Sequence, residues 1–408
     1  MSVVVLSLST FVVVTSEMLP VGVLTPMADG LRITPGTAGY SLAITGVVTA
    51  VTAPTVPRLL GAVDRRVVLA VAMVVLAAGN ALSAVAQGFG LLVVSRIILG
   101  IGMGAVWGLA AAVATRLVAP RNAALAVSAA VSGVAAASVV GVPLGTLVSN
   151  AFGWRAAFAS LSAAAVVLAA GLVLALPRLP RPVTPTAADD RAVREPLLRI
   201  PAVTAGLVLI VLLVTAHFAA YTYVRPVLEE RTELTPGAVA FVLLVYGVFG
   251  LAGNFAAGAL AARRARVTVV GLAAGIAAAI ALLALFGTVA GVTGISVALW
   301  GLAYGGLSVA GQIWMTQSAP HRVEHVTGLY VGVFTAAIAL GAFLGGTVVE
   351  SAGITSLLWS AAALAVAALA TGLLGSGPAP SPRRPKDAAA EPDQLRDTTA
   401  TAPACTSS

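Results

Sequence analysis

Charged side chains are scarce in this chain of 408 residues, because Asp, Glu, Lys and Arg make up only 9% of it. A soluble domain carries roughly 25% charged residues, so this composition excludes an ordinary soluble protein. Hydrophobic residues reach 59%, and the mean hydropathy is +1.02. Most of the surface must therefore face lipid, and we predict a polytopic membrane protein.

Cysteine is almost absent, and acidic residues are fewer than basic ones. The single cysteine, Cys405, lies in a polar tail, which excludes an intramolecular disulfide. The net charge is +8, but the basic residues are spread over short loops between apolar segments instead of forming a patch. Nucleic acid is therefore not an expected partner, whereas the lipid bilayer is.

Long apolar runs are abundant, and twelve of them reach the roughly 20 residues that one membrane crossing requires. They form two groups of six, separated by a Pro-rich, charged linker at 177–201 that we place in the cytoplasm. The sequence predicts an all-α integral membrane protein with two pseudo-symmetric six-helix bundles, 1–176 and 202–375, and a disordered cytoplasmic tail at 376–408. The predicted spans are 3–25, 38–60, 67–87, 90–116, 123–148, 155–176, 202–224, 237–260, 267–288, 292–317, 325–348 and 353–375.

The distribution of positive charge predicts the orientation of these spans. Most Lys and Arg residues lie in the loops on the same side of the membrane as the two termini. Short cytoplasmic loops carry such an excess. We therefore predict a multi-pass protein of the inner, cytoplasmic membrane with both termini in the cytoplasm.

The two halves of the chain resemble each other at an offset near 200 residues. The segment "TSEMLPVGVLTP" at 15–26 aligns with "TAHFAAYTYVRP" at 215–226, and "GVPLG" at 141–145 aligns with "GAFLG" at 341–345. Chance similarity between Ala-, Val- and Gly-rich helices is the alternative, but shared Pro and polar positions argue against it. Two parallel six-helix repeats are typical of one large transporter architecture.

Three strongly ionisable residues fall inside the predicted spans: Glu17, Arg96 and His217. A charge at mid-bilayer costs roughly 2.5–3.5 kcal/mol, so such residues usually face an interior cavity. Counting from the helix ends places all three in one layer, with His217 as the counterpart of Glu17. We predict proton coupling through this layer. A fixed Glu17–Arg96 ion pair is the alternative, and His217 either relays protons, binds substrate or is a satisfied polar residue.

Several large side chains are candidates for the lining of a substrate cavity, and each has packing or lipid contact as its alternative. Arg96, Met103 and Trp107 share one helical stripe. The glycines of "GIGMGAVWG" at 100–108 follow no strand and have the spacing of close helix packing, not of a nucleotide loop. Pro143 is expected to kink the fifth span. The full set of predicted cavity residues is Met18, Met103, Trp107, Tyr221, Tyr223, Trp300 and Tyr304.

Residues 1–375 resemble the major facilitator superfamily, in particular its bacterial drug:proton antiporter and sugar (arabinose) efflux branch. "TSEMLPVGVL" is similar to the signature of helix 1 of this branch, and "SRIILGIGMGA" to the helix 4 pattern that contains Arg96. "GVPLGTLVSNAFGWRAAF" resembles the antiporter motif of helix 5. The loop "PRLLGAVDRR" departs from the pattern, because Gly61 stands where the family has Asp. The resemblance implies conformational roles for Gly141, Pro143, Gly145, Arg65 and Arg66.

We therefore predict a proton-coupled secondary transporter that exports a small amphipathic compound, such as a drug or antibiotic, by alternating access. Export of a sugar by the same antiport is the alternative. A polytopic membrane enzyme is more remote, because the acidic residues are scattered. His321 and His325 supply only two potential metal ligands. No cofactor or metal is expected beyond the coupling protons, and the resemblance implies a monomer.

Overall fold

The computed structural model describes residues 2–59, 63–117, 119, 133, 134, 136–178 and 197–375. Within these ranges the chain is helical, with short turns and no strand. Most of the predicted linker and the whole predicted tail, including Cys405, lie outside the described residues. All of the described residues belong to one compact unit.

Four of the six helices of the first half follow the predicted spans to within three residues, because long apolar runs bounded by Pro, Gly and charged residues specify where a membrane helix ends. The first helix continues to Leu31, beyond its predicted end at 25, and the first part of the fifth predicted span, 123–132, lies outside the described residues. The fifth helix is preceded by a π-helical turn at Ala137–Gly141. The six helices are α1 (Ser2–Leu31), α2 (Pro35–Leu59), α3 (Arg65–Ala84), α4 (Phe89–Arg116), α5 (Val142–Phe152) and α6 (Trp154–Ala175).

In the second half, two pairs of predicted spans run into each other as continuous helices. Each of these long helices contains one residue with non-helical dihedral angles, Arg264 and Gly353, and each break separates two predicted spans. The five helices are α7 (Pro201–Tyr221), α8 (Val224–Arg231), α9 (Pro236–Phe286), α10 (Ala290–Ser318) and α11 (Val323–Leu374).

Nine of the described helices are long and apolar enough to cross a membrane. Divided at the breaks in α9 and α11, these nine become eleven segments. The shorter apolar helix at 139–152 overlaps the fifth predicted span, 123–148, whose first part, 123–132, lies outside the described residues. Many large apolar side chains, such as Leu174, Phe255 and Val167, are exposed, as expected for a surface that contacts lipid.

The internal repeat is visible in the backbone dihedral angles as well as in the sequence. Val23 interrupts α1 with φ −122° and ψ 16°, and Tyr223 lies between α7 and α8 with φ −106° and ψ 16°. The helix ends repeat too, with positive φ at Arg32 and Glu233. The second pair is Gly153 and Gly353, with φ of 85° and 78°. The two halves therefore break at equivalent positions, which confirms the pseudo-symmetry.

The π-helical turn before α5 is the local consequence of Pro143. Proline has no amide hydrogen and its ring clashes with the carbonyl four residues earlier, so the regular helix cannot continue through this point. The amide of Val142 instead donates to the carbonyl of Ala137, five residues back. The sequence predicted a distortion here, and the structure shows it as a π-helical turn.

Candidate functional site

Glu17 lies in the interior of the protein, on α1, with only 7% of its surface exposed. No ion pair joins it to Arg96 within the part of the chain that the structure describes. The fixed ion pair considered from the sequence is therefore not the arrangement observed.

Arg96 is fully buried on α4 and contacts α1 one residue before Glu17. Its Nη1 atom donates a hydrogen bond to the carbonyl of Ser16 at 3.3 Å, and its guanidinium lies 4.7 Å from the ring centre of Phe158. The Ser16 carbonyl needs a partner because Pro20, four residues later, has no amide hydrogen. Arg96 thus binds a carbonyl that a proline has freed.

A second carbonyl on α1 is bound in the same way, but from the opposite repeat. Pro26 lacks the amide that would bond to Gly22, and Arg225 of α8 donates from Nη1 to the Gly22 carbonyl at 2.6 Å. Arg225 also forms an ion pair with Glu229 at 2.8 Å, and the hydroxyl of Thr25 donates to the other oxygen of that carboxylate. This cluster joins the end of α1 to α8.

A second contact joins α2 to α11 at the same end of the protein, which we call the predicted outer face. The carboxylate of Glu350 accepts hydrogen bonds from the hydroxyl of Thr34 and from the amide of Thr37, the latter at 2.9 Å. The amides at a helix N-terminus favour an anion, so Glu350 caps α2 from the other repeat. The hydroxyl of Tyr223 bridges the carbonyls of Gly36 and Ala342.

His217 lies at the centre of an aromatic cluster formed by α7, α9 and α10. The indole Nε1 of Trp300 donates to its Nδ1 at 2.9 Å. The ring of Tyr304 stacks on the imidazole, with ring centres 3.5 Å apart and planes 3° apart. Tyr221 and Tyr246 continue the stacked arrangement, with centres 4.7 Å apart. The His217 side chain is fully buried, and its Nε2 has no hydrogen-bond partner among the described residues.

The predicted cavity residues do not form one group. Tyr221, Trp300 and Tyr304 belong to the aromatic cluster, and Met18 packs against the same apolar core. Met103 is buried in a separate apolar cluster inside the first repeat, and Trp107 packs against that cluster. Tyr223 belongs to the contact at the predicted outer face described above.

The residues of the antiporter motif place α5 directly against α1. A Cβ atom on Gly141 would lie 2.2 Å from the hydroxyl oxygen of Thr15, and one on Gly145 would lie 2.5 Å from a methyl group of Leu19. Gly22 is equally close to Thr146 from the α1 side. Small residues at these positions allow the two helices to approach. The motif therefore packs beside the segment of α1 that contains Glu17.

Arg65 and Arg66 begin α3, far from the aromatic cluster in sequence. Asp64 caps this helix by accepting a hydrogen bond from the amide of Arg66 at 2.9 Å. The Nη1 atom of Arg66 donates to the carbonyl of Leu176 at the end of α6. Gly61 lies outside the described residues. These arginines therefore occur where α3 begins, beside the end of the first repeat.

Sequence reasoning missed Arg225, Glu229 and Tyr246. Arg225 aligns with Thr25 in the repeat, and its position next to Pro226 was the available signal. Tyr246 sits in an apolar run that gives no indication of the direction in which its side chain points. A buried charge at a helix end shows its role only when the carbonyl that it contacts is known, and that carbonyl is identified only by the tertiary structure.

The described residues form a helical membrane protein built from two repeats, with a buried carboxylate on α1, a buried guanidinium on α4 and a buried imidazole on α7. Residues 6–342 match the family model described as Major Facilitator Superfamily. The chain belongs to this superfamily, and its twelve predicted spans fit the fold.

Curated relatives include the purine ribonucleoside efflux pump NepI of Escherichia coli O6:H1, strain CFT073. It is 31% identical over 343 residues, which cover 84% of this chain and 85% of the pump. NepI of Shigella sonnei is 31% identical over 355 residues, covering 86% and 88%. These proteins are relatives of this chain, and they place it among multi-pass membrane transporters.

Solved structures of low sequence identity share the fold. A bacterial homologue of the human lysosomal transporter Spinster, in an inward-facing and occupied conformation, gives a TM-score of 0.74 at 13% identity, covering 91% of this chain and 95% of that one. The nucleoside transporter NupG, in a point-mutant form, gives a TM-score of 0.72 at 14% identity, covering 91% and 98%. At such identities the likeness concerns the fold alone.

Proposed function

We propose that this transporter exports purine ribonucleosides in exchange for protons. The observations that carry the proposal are the aromatic cluster around His217 and a buried carboxylate, Glu17, that has no ion pair to Arg96 among the described residues. The 31% identity to proteins named as purine ribonucleoside efflux pumps supports the same substrate class.

A purine ribonucleoside combines a planar apolar ring with a polar sugar. The ring suits a site walled by Tyr304, Tyr221 and Tyr246, since aromatic rings attract each other when stacked or edge to face. The ribose hydroxyls require hydrogen-bonding groups at the edge of that site. A drug-like amphipathic compound and a sugar, the two substrates considered from the sequence, each share one part of this chemistry.

Glu17 is the proposed proton carrier. An unpaired carboxylate in an apolar interior is costly when charged, so in the described arrangement we expect it to hold a proton. When the protein opens to the cytoplasm, water and the Arg96 guanidinium can stabilise the carboxylate, and the proton leaves. Glu17 is buried next to Met18, which packs against the same core as the aromatic cluster, so loss of the proton changes the charge within the core that holds the proposed substrate site.

The proposed cycle is alternating access of the two repeats. In the outward-facing state Glu17 takes up a proton and the nucleoside leaves. In the inward-facing state the proton leaves and a nucleoside binds between α1, α4, α7 and α10. Protons are then the only coupling ion, and the protein works as a monomer in the cytoplasmic membrane with both termini in the cytoplasm.

Transport in proteoliposomes tests this proposal. Purified protein would be reconstituted with a pH-sensitive dye inside, and a pH gradient would be imposed. We expect inosine or adenosine to accumulate against its gradient and to cause proton flux, while an amphipathic cation and arabinose do so weakly or not at all. Proton flux with the cation or with arabinose but not with nucleosides would reject the substrate class.

The Glu17→Gln variant separates proton coupling from binding. We expect it to lose gradient-driven accumulation but to keep nucleoside exchange across the membrane, because exchange requires no net proton movement. Asp29→Asn is the matched control, since Asp29 is an exposed acid near the end of the same helix. Wild-type accumulation and pH dependence in Glu17→Gln would refute the role of Glu17.

A further inference from the structure

We infer that His217 recognises the substrate as a neutral hydrogen-bond donor at Nε2, and that Trp300 fixes it in this role. The inference rests on the proposed function, because it takes the substrate to be a planar heteroaromatic ring with hydrogen-bond acceptors at its edge. It makes His217 a specificity-determining residue and removes it from the path of the proton.

The hydrogen bond from Trp300 determines which nitrogen of His217 carries the hydrogen. An indole Nε1–H only donates, and it lies 2.9 Å from Nδ1 of the imidazole. Nδ1 must therefore present a lone pair. A neutral imidazole with an acceptor at one nitrogen has its hydrogen on the other, so Nε2 carries the hydrogen and donates.

The donor at Nε2 has no protein partner among the described residues. His217 is surrounded by protein, with 0% of its surface accessible to solvent, and Nε2 makes no hydrogen bond within the described ranges. Leaving a buried N–H unpaired is unfavourable, and buried polar groups are normally satisfied. A ligand acceptor that arrives during the transport cycle accounts for the free donor.

The surroundings of the donor define the class of ligand. Tyr304 covers a face of the imidazole at 3.5 Å, so a ligand meets His217 at the edge of its ring. The hydroxyl of Tyr246 is a second buried polar group in this cluster without a partner among the described residues. Two polar positions between aromatic walls suit a flat ring with nitrogen or carbonyl acceptors at its edge, such as a purine.

The same geometry separates the roles of the two repeats. A second proton on His217 would have to bind Nδ1, which would break the bond to Trp300. The equivalent position in the first repeat, Glu17, makes no such bond with the part of the chain that the structure describes, so it can gain or lose a proton without breaking one. The carboxylate thus carries the proton, and the imidazole binds the substrate.

The hydrogen position can be read by nitrogen NMR without any substrate. The chain has three histidines, so His321→Asn and His325→Asn leave His217 as the only labelled imidazole in a nanodisc sample. We expect the neutral form with the hydrogen on Nε2 throughout about pH 5 to 8, the range in which free histidine titrates. An imidazolium signal, or a hydrogen on Nδ1, would overturn the inference whether or not nucleosides are transported.

A pair of tryptophan variants provides the control for this measurement. Trp300→Phe removes the donor and should allow the hydrogen to occupy Nδ1 as well. Trp314→Phe is matched to it, because the indole of Trp314 donates to the carbonyl of Ala202 in the same repeat and not to His217. The His217 spectrum should be unchanged in Trp314→Phe, and an unchanged spectrum in Trp300→Phe would contradict the proposed role of Trp300.

Substrate recognition is tested by combining variants of His217 with ligands that each lack one ring nitrogen. Binding of inosine, 3-deazainosine and 7-deazainosine would be measured for the wild type, His217→Gln and His217→Leu. We expect one deaza analogue to bind the wild type about ten- to a hundred-fold more weakly than inosine, as for loss of a buried polar pair. His217→Leu should bind that analogue and inosine equally, and His217→Gln should keep part of the preference.

The outcomes of this binding experiment distinguish the inference from the proposed function. If inosine binds the wild type and His217→Leu equally tightly, the donor role of His217 is wrong while nucleoside transport stands. If inosine does not bind at all, the proposed substrate class is wrong, and so is the inference that Nε2 of His217 recognises a purine. The NMR measurement then still decides the hydrogen position.

Discussion

Replacing Arg225 by methionine is expected to weaken the closed arrangement of the predicted outer face. The side chain of Arg225 bridges the repeats by donating to the Gly22 carbonyl at 2.6 Å. Its ion pair with Glu229 lies within α8, four residues along the same helix, so that pair is present whether this face is open or closed. Only the bond to Gly22 should therefore change the balance between the two states.

The size of the effect follows from the type of bond that is lost. A hydrogen bond with one charged partner contributes about 1.5–3 kcal/mol, and each 1.36 kcal/mol changes an equilibrium ten-fold. Arg225→Met should therefore raise the ratio of outward-open to closed protein by about ten- to a hundred-fold. Methionine keeps most of the apolar stem of arginine, so packing around α8 is largely retained.

Cysteine accessibility measures this ratio directly. Cys405 is the only native cysteine, so Cys405→Ser gives a cysteine-free background in which Met18→Cys reports on the interior. A membrane-impermeant thiol reagent added from the predicted outer side should label this site faster in Arg225→Met. Arg231→Met is the matched control, because Arg231 lies on the same helix but bonds to Ala284 and Thr355 of its own repeat. Equal labelling rates in both variants would refute the reasoning.

Three further predictions concern the same surfaces. Pro26→Ala restores an amide that competes with Arg225 for the Gly22 carbonyl. We therefore expect the Met18→Cys site to be labelled from the outer side faster than in the wild type, though more slowly than in Arg225→Met. Labelling slower than in the wild type would argue against a carbonyl freed by proline. Glu350→Gln removes the charge at the N-terminus of α2 and should increase the rate of outer labelling about two- to five-fold, because such contacts contribute roughly 0.3–1 kcal/mol. High salt should reduce the difference between this variant and the wild type. Gly141→Val should reduce transport to background, because a Cβ atom at position 141 would lie 2.2 Å from the hydroxyl oxygen of Thr15. Gly271→Val is the control and should transport normally, since a Cβ atom there meets no other atom within 4 Å. Full transport by Gly141→Val would mean that α1 and α5 can separate at no cost.

The sequence was most informative about the spans, the repeat and the buried charges. Apolar runs and their flanking residues defined the helix ends to within a few positions, because lipid permits few alternatives to a helix. The sequence also identified Glu17 and His217 as equivalent positions of the two repeats, and both side chains are buried. Side-chain direction was harder to predict: Met103 shares a helical stripe with Arg96 but is buried inside the first repeat.

Contacts between the repeats could not be predicted from sequence. The partner of Arg225 is a backbone carbonyl, which every residue possesses, and only the position of Pro26 marks that carbonyl as free. The contact of Glu350 with α2 joins residues more than 300 positions apart in the chain. Such contacts depend on how the two repeats pack together, and one sequence contains no direct record of that packing.

The repeated breaks at Val23 and Tyr223 have a consequence for how this protein can evolve. Gene duplication leaves two copies of one backbone, each with a break at the same position followed by a short terminal segment. The two copies share the backbone but not the functional side chains, because Arg225 stands where the first copy has Thr25 and His217 stands where it has Glu17. In the proposed mechanism, a substrate preference can therefore change in one copy while the other keeps its role in proton coupling, and the backbone that both copies share stays the same.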